Sequence, residues 1–87
     1  MEMSQGTPIF SGEINVNSQD YILTEVKSIA TQSIISKQRL KSLHDYLLRR
    51  KGDESVIIAI NDQIPLLLNG QEVGQLLDEL NQIIKRF

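Results

Sequence analysis

From Gln19 to Lys51 the chain runs 33 residues without a glycine or a proline. Within that run Ile22, Val26, Ile29, Ser33, Ser36, Leu40, Leu43 and Leu47 step by alternating fours and threes. That is the spacing of a heptad seam. The pattern predicts one long helix over 19–51, its seam softened by serine at the centre. The other reading is two helices broken near Thr31–Ser36. Asn17-Ser18 offers an N-cap with Asp20 in the first turn. Gly52 suits the residue after a helix end, and Arg49, Arg50 and Lys51 suit the negative end of the helix dipole.

A straight helix of that length spans about 50 Å. A chain of 87 residues folds to a globule roughly 30 Å across. Several turns would then overhang the domain with their aliphatic side chains wet, forgoing roughly 1.5–3 kcal/mol each. Pairing with a second copy removes that cost. The expectation is a homo-oligomer, most simply a dimer, with Ile22, Val26, Ile29, Leu40, Leu43 and Leu47 as its seam. The absence of cysteine excludes disulfide staples and leaves association as the usual aid to a small domain.

The rest of the chain reads more locally. Residues 1–8 are polar, contain Gly6 and Pro8, and read as a loose arm before a single domain over 9–87. Ile9–Val16 alternates, with Phe10, Gly12, Ile14 and Val16 on one face, as a half-buried strand does. Gly12 marks a candidate bulge there. Val56–Ile60 and Ile64–Leu68 flank Asn61-Asp62-Gln63 and read as a hairpin. A three-residue loop sets Ile60 opposite Ile64, Ile58 opposite Leu66 and Val56 opposite Leu68. The other face keeps Ile57, Ala59 and Leu67, an apolar surface that also asks for cover, and Pro65 places its strand at an edge or turns its missing donor outward. Asn69-Gly70-Gln71-Glu72 has the form of a capping box. Behind it Val73, Leu76, Leu77, Leu80, Ile83, Ile84 and Phe87 make one wide helical stripe, and Gly74 beside it leaves room for another backbone. The expected fold is α+β, in the order β-α-β-β-α.

Chemistry is sparse. Six cations, Lys37, Arg39, Lys41, Arg49, Arg50 and Lys51, fall in 37–51 against Asp45, a local balance of +5 within a chain of net charge −2. They could grip a phosphate, a nucleotide or nucleic acid. The plainer reading is a solvated helix end. His44 stands alone, without the companions a metal site or a general base needs. Asp53-Glu54 and Asp78-Glu79 read as a polar loop and an exposed helix face, and no serine sits in a nucleophile elbow. No enzyme, cofactor or metal is expected. The apolar runs are too short to cross a bilayer and the first residues do not form a secretory signal, so the expectation is a cytoplasmic protein without membrane contact.

The run VIIAINDQIPLLL before an amphipathic helix resembles small antitoxins of the Phd type. That resemblance implies dimerisation, DNA binding and toxin neutralisation. The sequence departs from the pattern where a Gly-Lys/Arg-Pro turn would stand, having Asn61-Asp62-Gln63, Ile64 and only then Pro65. The leading functional expectation is a small non-enzymatic interaction protein, regulatory or adaptor-like, acting as a homo-oligomer on another protein. The alternative is an anion or nucleic-acid binder that uses 37–51.

Overall fold

The computed structural model describes residues 8–60 and 65–87. Three strands come first: β1 (Phe10–Asn15), β2 (Asp20–Val26) and β3 (Ile29–Ser36). They are followed by α1 (Lys37–Arg49), β4 (Ser55–Ala59), β5 (Pro65–Asn69) and α2 (Gly70–Lys85). The strands form two antiparallel sheets, β1-β2-β3 and β4-β5. The class is α+β, but the order differs from the expected one.

The long helix over 19–51 does not form. Its first half is the β2–β3 hairpin, and helix begins only at Lys37. Tyr21, Ile22, Thr24, Val26, Ile29, Thr31, Ile34 and Ile35 are β-branched or aromatic, residues that lose side-chain freedom in a helix and fit a pleated surface. Tyr21, Leu23, Ser33 and Ile35 are buried in the sheet's alternation. The four-three stepping over 22–36 was therefore coincidental, and only Leu40, Leu43 and Leu47 occupy a helical stripe. Asn17-Ser18 lies in the β1–β2 turn and caps no helix, and Val16 lies in the same turn, 66% exposed. The true cap is Ser36, whose hydroxyl accepts the Arg39 N–H at 3.1 Å.

The 13-residue α1 is about 20 Å long, inside a molecule whose longest extent is 36 Å. No overhang remains, so the length no longer calls for a second copy. Leu40 and Leu47 are fully buried in the core of the single chain, Leu43, Ile22 and Val26 are half-buried, and Ile29 is exposed on the β-hairpin. The six residues expected to form an intermolecular seam do not share one surface.

The later elements follow their sequence. Val56 pairs with Leu68 and Ile58 with Leu66, as the hairpin pattern predicts. The loop 61–63 and the Ile60–Ile64 pairing lie outside the described residues, as does the arm 1–7. The Asn69 side chain accepts the Glu72 N–H at 2.8 Å while Glu72 accepts the Asn69 N–H at 2.9 Å, which completes the capping box. Gly52 adopts φ +104° two residues past the Arg50 C-cap. β1 shifts register between Ser11 and Gly12, where the bulge was expected. Gly74 meets no neighbouring backbone, so it is not a close-approach site.

The apolar stripe of α2 organises the core. Val73, Leu76, Leu77, Leu80 and Ile83 are buried against α1, β4, β5 and β1. Phe10, Tyr21, Leu23, Leu40, Leu47, Val56, Ile58 and Leu68 close the same cluster. No helix among the described residues is long and apolar enough to cross a membrane.

Candidate interaction surface

α1 displays the six cations but does not gather them. Lys37 and Arg50 lie at opposite ends of α1, about 20 Å apart along the axis. Three of the six are engaged within the chain. The Lys37 ammonium lies 5.9 Å from the centre of the Phe87 ring. Arg39 Nη2 donates to the Ile60 carbonyl at 3.2 Å. The Arg50 guanidinium stacks 5.1 Å from the Tyr46 ring centre. Lys41, Arg49 and Lys51 are exposed. His44 Nδ1 lies 3.9 Å from Asp45 Oδ1, and no group of metal-ligating side chains occurs among the described residues.

The helix does help to build a groove. Arg39, Ser42, Leu43 and Tyr46 follow one flank at the spacing that aligns side chains along a helix. They face Ile57, Ile58 and Ala59 of β4 across an open trough of about 320 Å³. No carboxylate lines it among the described residues. Among the described residues β4 hydrogen-bonds with β5 alone.

Beside the groove lies the outer face of the hairpin. Ile57 and Leu67 sit directly opposite each other, 61% and 58% exposed. Ser55, Ala59, Pro65 and Asn69 share that face, and none of its described residues is charged. Scattered apolar side chains on a surface are ordinary, but a contiguous pair with an apolar groove alongside marks a contact surface. The sequence showed the second apolar face of the hairpin. It did not show that Ser42 and Tyr46 would line the adjoining groove, although the 39–42–46 spacing carries that signal.

A second depression, of about 340 Å³, is lined by residues that include Phe10, Tyr21, Glu79 and Arg86. It holds the one carboxylate whose role the sequence misread. Glu79 is half-buried and accepts the backbone N–H groups of Ile9 and Phe10, with Gln75 Nε2 donating to it at 2.9 Å. Asp78 alone is on the exposed face. With both oxygens accepting backbone N–H groups, Glu79 ties the start of β1 to α2. The chain matches no protein-family model, no curated protein and no solved structure.

Proposed function

We propose that the protein is a small non-enzymatic interaction protein, of regulatory or adaptor type, that works as a homo-oligomer and docks another protein on the outer face of β4–β5. The observation that carries the reading is the Ile57–Leu67 pair, more than half exposed on an uncharged face. Covering the two side chains would contribute roughly 1–2 kcal/mol each, a useful core for an interface ringed by polar groups. Arg39 and Tyr46 stand at the edge of that face, and Arg and Tyr are residue types that concentrate binding energy. The immobilised protein, exposed to extract of its own source, should retain a defined protein that the Ile57→Lys/Leu67→Lys variant loses. Equal retention by both proteins would remove the proposed surface.

A second reading is favoured by the exposure of Lys41, Arg49 and Lys51: α1 would bind an anionic ligand or nucleic acid, as an antitoxin-like regulator would. The internal engagement of Lys37, Arg39 and Arg50 weighs against it. Titration with duplex DNA and with RNA at low salt decides. Binding whose logarithmic affinity falls linearly with log salt, and which Arg49→Gln/Lys51→Gln weakens, supports this reading; no binding at low salt ends it.

A further inference from the structure

The depression of about 340 Å³ between the start of β1, Tyr21 of β2 and one flank of α2 holds three polar groups whose bonding capacity the chain does not use up. The first is the Tyr21 phenol. Tyr21 is only 3% exposed and lines the depression, yet no group among the described residues hydrogen-bonds its hydroxyl. A buried polar atom without a partner is costly and rare in a folded protein. Gly12, on the same wall, makes room for it: a Cβ there would come within 3.0 Å of Tyr21 Cζ. The other two groups are the charges of Glu79 and Arg86. Both line the depression and both act on the Tyr21 phenol. Among the described residues they form no ion pair with each other.

From these groups we infer that the depression binds a free α-amino acid as its zwitterion, with the carboxylate on the Arg86 guanidinium and the Tyr21 hydroxyl and the ammonium on Glu79. The site shares no residue with the β4–β5 face, so it goes beyond the docking role proposed above and stands or falls separately.

Charge decides the ligand class. The described lining carries one cation and one anion. A simple anion is drawn to Arg86 and repelled by Glu79, and a simple cation meets the reverse. A molecule bearing both charges satisfies both. The bonding capacity agrees. Glu79 Oε2 accepts the Ile9 N–H and Gln75 Nε2, while Oε1 accepts the Phe10 N–H. A carboxylate offers about four lone-pair sites, so Oε1 keeps one for an ammonium. The Arg86 guanidinium is exposed and makes no hydrogen bond among the described residues; its planar fork matches a carboxylate with two parallel bonds. Spacing agrees as well. Side chains that meet along a helix are three or four residues apart. Glu79 and Arg86 are two turns apart, about 10 Å along the axis, which keeps them from pairing directly. An α-amino acid with a charge-assisted hydrogen bond at each end reaches about 8 Å, a gap that two flexible side chains close. Phe10 and Ile83, both buried in the same wall, give an apolar side chain its contact. The volume lies at the low end for ligand pockets, which suits one amino acid and not a nucleotide.

Amide NMR of the isotope-labelled full chain tests this, with leucine and, separately, phenylalanine added to about 10 mM, enough to fill most of a site of millimolar Kd. The resonances of Phe10, Ser11, Gly12, Tyr21 and the last two turns of α2 should move together for at least one of the two. Isocaproate keeps the side chain and carboxylate of leucine without the ammonium, and isoamylamine keeps the ammonium without the carboxylate. Each should bind about tenfold or more weakly than leucine, a comparison that needs no variant. Arg86→Gln should weaken amino-acid binding about tenfold or more, and Tyr21→Phe, which removes only the hydroxyl, about fivefold; melting curves confirm that both variants are folded. No shift at these residues with either amino acid overturns the site. Isocaproate or isoamylamine binding as tightly as leucine, or affinity unchanged in folded Arg86→Gln, overturns the zwitterion assignment.

Discussion

Glu79, midway along α2, accepts the backbone N–H of Phe10 through Oε1 at 2.9 Å, and its other oxygen accepts the neighbouring Ile9 N–H at 2.9 Å. One carboxylate thus ties the first strand to the last helix, across nearly the whole length of the chain. Hydrogen bonds to an ionised acceptor are stronger than neutral ones, and the donors belong to two buried residues. Glu79→Ala leaves both N–H groups without that acceptor and should cost about 2–3 kcal/mol of unfolding free energy. Glu79→Gln keeps one oxygen and should cost about half as much. Urea unfolding of the three proteins measures this; Glu79→Ala within about 0.5 kcal/mol of wild type would show that water replaces the carboxylate.

Tyr21 lies buried near Glu79, and its phenol is shifted upward, first by burial and then by the Glu79 charge, with Arg86 opposing. A raised pKa means that the folded state holds its proton where the unfolded chain has released it. The contribution is therefore fully present below the ordinary value of 10.0 and is lost as pH rises through the folded value. Wild-type stability should fall above about pH 10, and Tyr21→Phe should fall less steeply. Parallel alkaline slopes for the two proteins would contradict this assignment.

At the acid end Glu72 contributes. Its carboxylate is held below the usual range, first by the Asn69 backbone N–H and next by the Lys27 side chain. Lys27 Nζ lies 2.9 Å from Glu72 Oε2, joining the tip of the β2–β3 hairpin to the start of α2. A depressed carboxylate stabilises the fold above its unfolded pKa, and that contribution is lost as pH falls through the folded pKa. The stability difference between wild type and Glu72→Gln should shrink as the solution is acidified from neutrality. A difference independent of pH would place the effect of Glu72 in packing alone.

Glycines 12 and 74 should respond to alanine with opposite signs. A Cβ on Gly12 would collide with the Ile22 carbonyl of the neighbouring strand, at the bulge, and backbone cannot yield as a side chain can. Gly12→Ala should lose about 1–3 kcal/mol. Gly74 sits in α2 with open space where a Cβ would project. Gly74→Ala should gain about 0.5–1 kcal/mol from helix propensity. Thermal melts of the pair check both, and a stabilised Gly12→Ala protein would mean that β1 can move off β2.

What the sequence revealed tracks how local each signal is. The α2 stripe, its Asn69–Glu72 cap, the β4–β5 register and the Gly12 bulge all rest on neighbours a few residues apart, and all appear in the fold. The β2–β3 hairpin was hidden for a specific reason. Its connection is Lys27-Ser28, at φ +50° and +70°. Two-residue hairpin turns of this left-handed kind are normally announced by Asn-Gly or Asp-Gly. Without a glycine to punctuate it, the run from Gln19 to Lys51 looked continuous. Leu40, Leu43 and Leu47 then lent their true helical spacing to a false extension upstream. The candidate site divided similarly: Ile57 and Leu67 could be placed on an outer face from alternation, but Tyr46 joins them only through the packing of α1 beside β4.

The same turn gives a test of how hard tertiary contacts hold it. Ser28 sits at φ +70°, where an L-residue pays roughly 1–2 kcal/mol and glycine almost nothing. Glycine also gains freedom in the unfolded chain, which offsets part of that relief. Ser28→Gly should therefore raise stability by about 0.5–1 kcal/mol, and it leaves the Lys27–Glu72 ion pair in place. Lys27→Gly relieves the same kind of strain but removes that ion pair and the Lys27 contact with the Leu67 carbonyl. It should come out near neutral in urea unfolding at neutral pH. A Ser28→Gly protein less stable than wild type would mean that the turn does not hold this left-handed geometry, and the β2–β3 register would have to be redrawn.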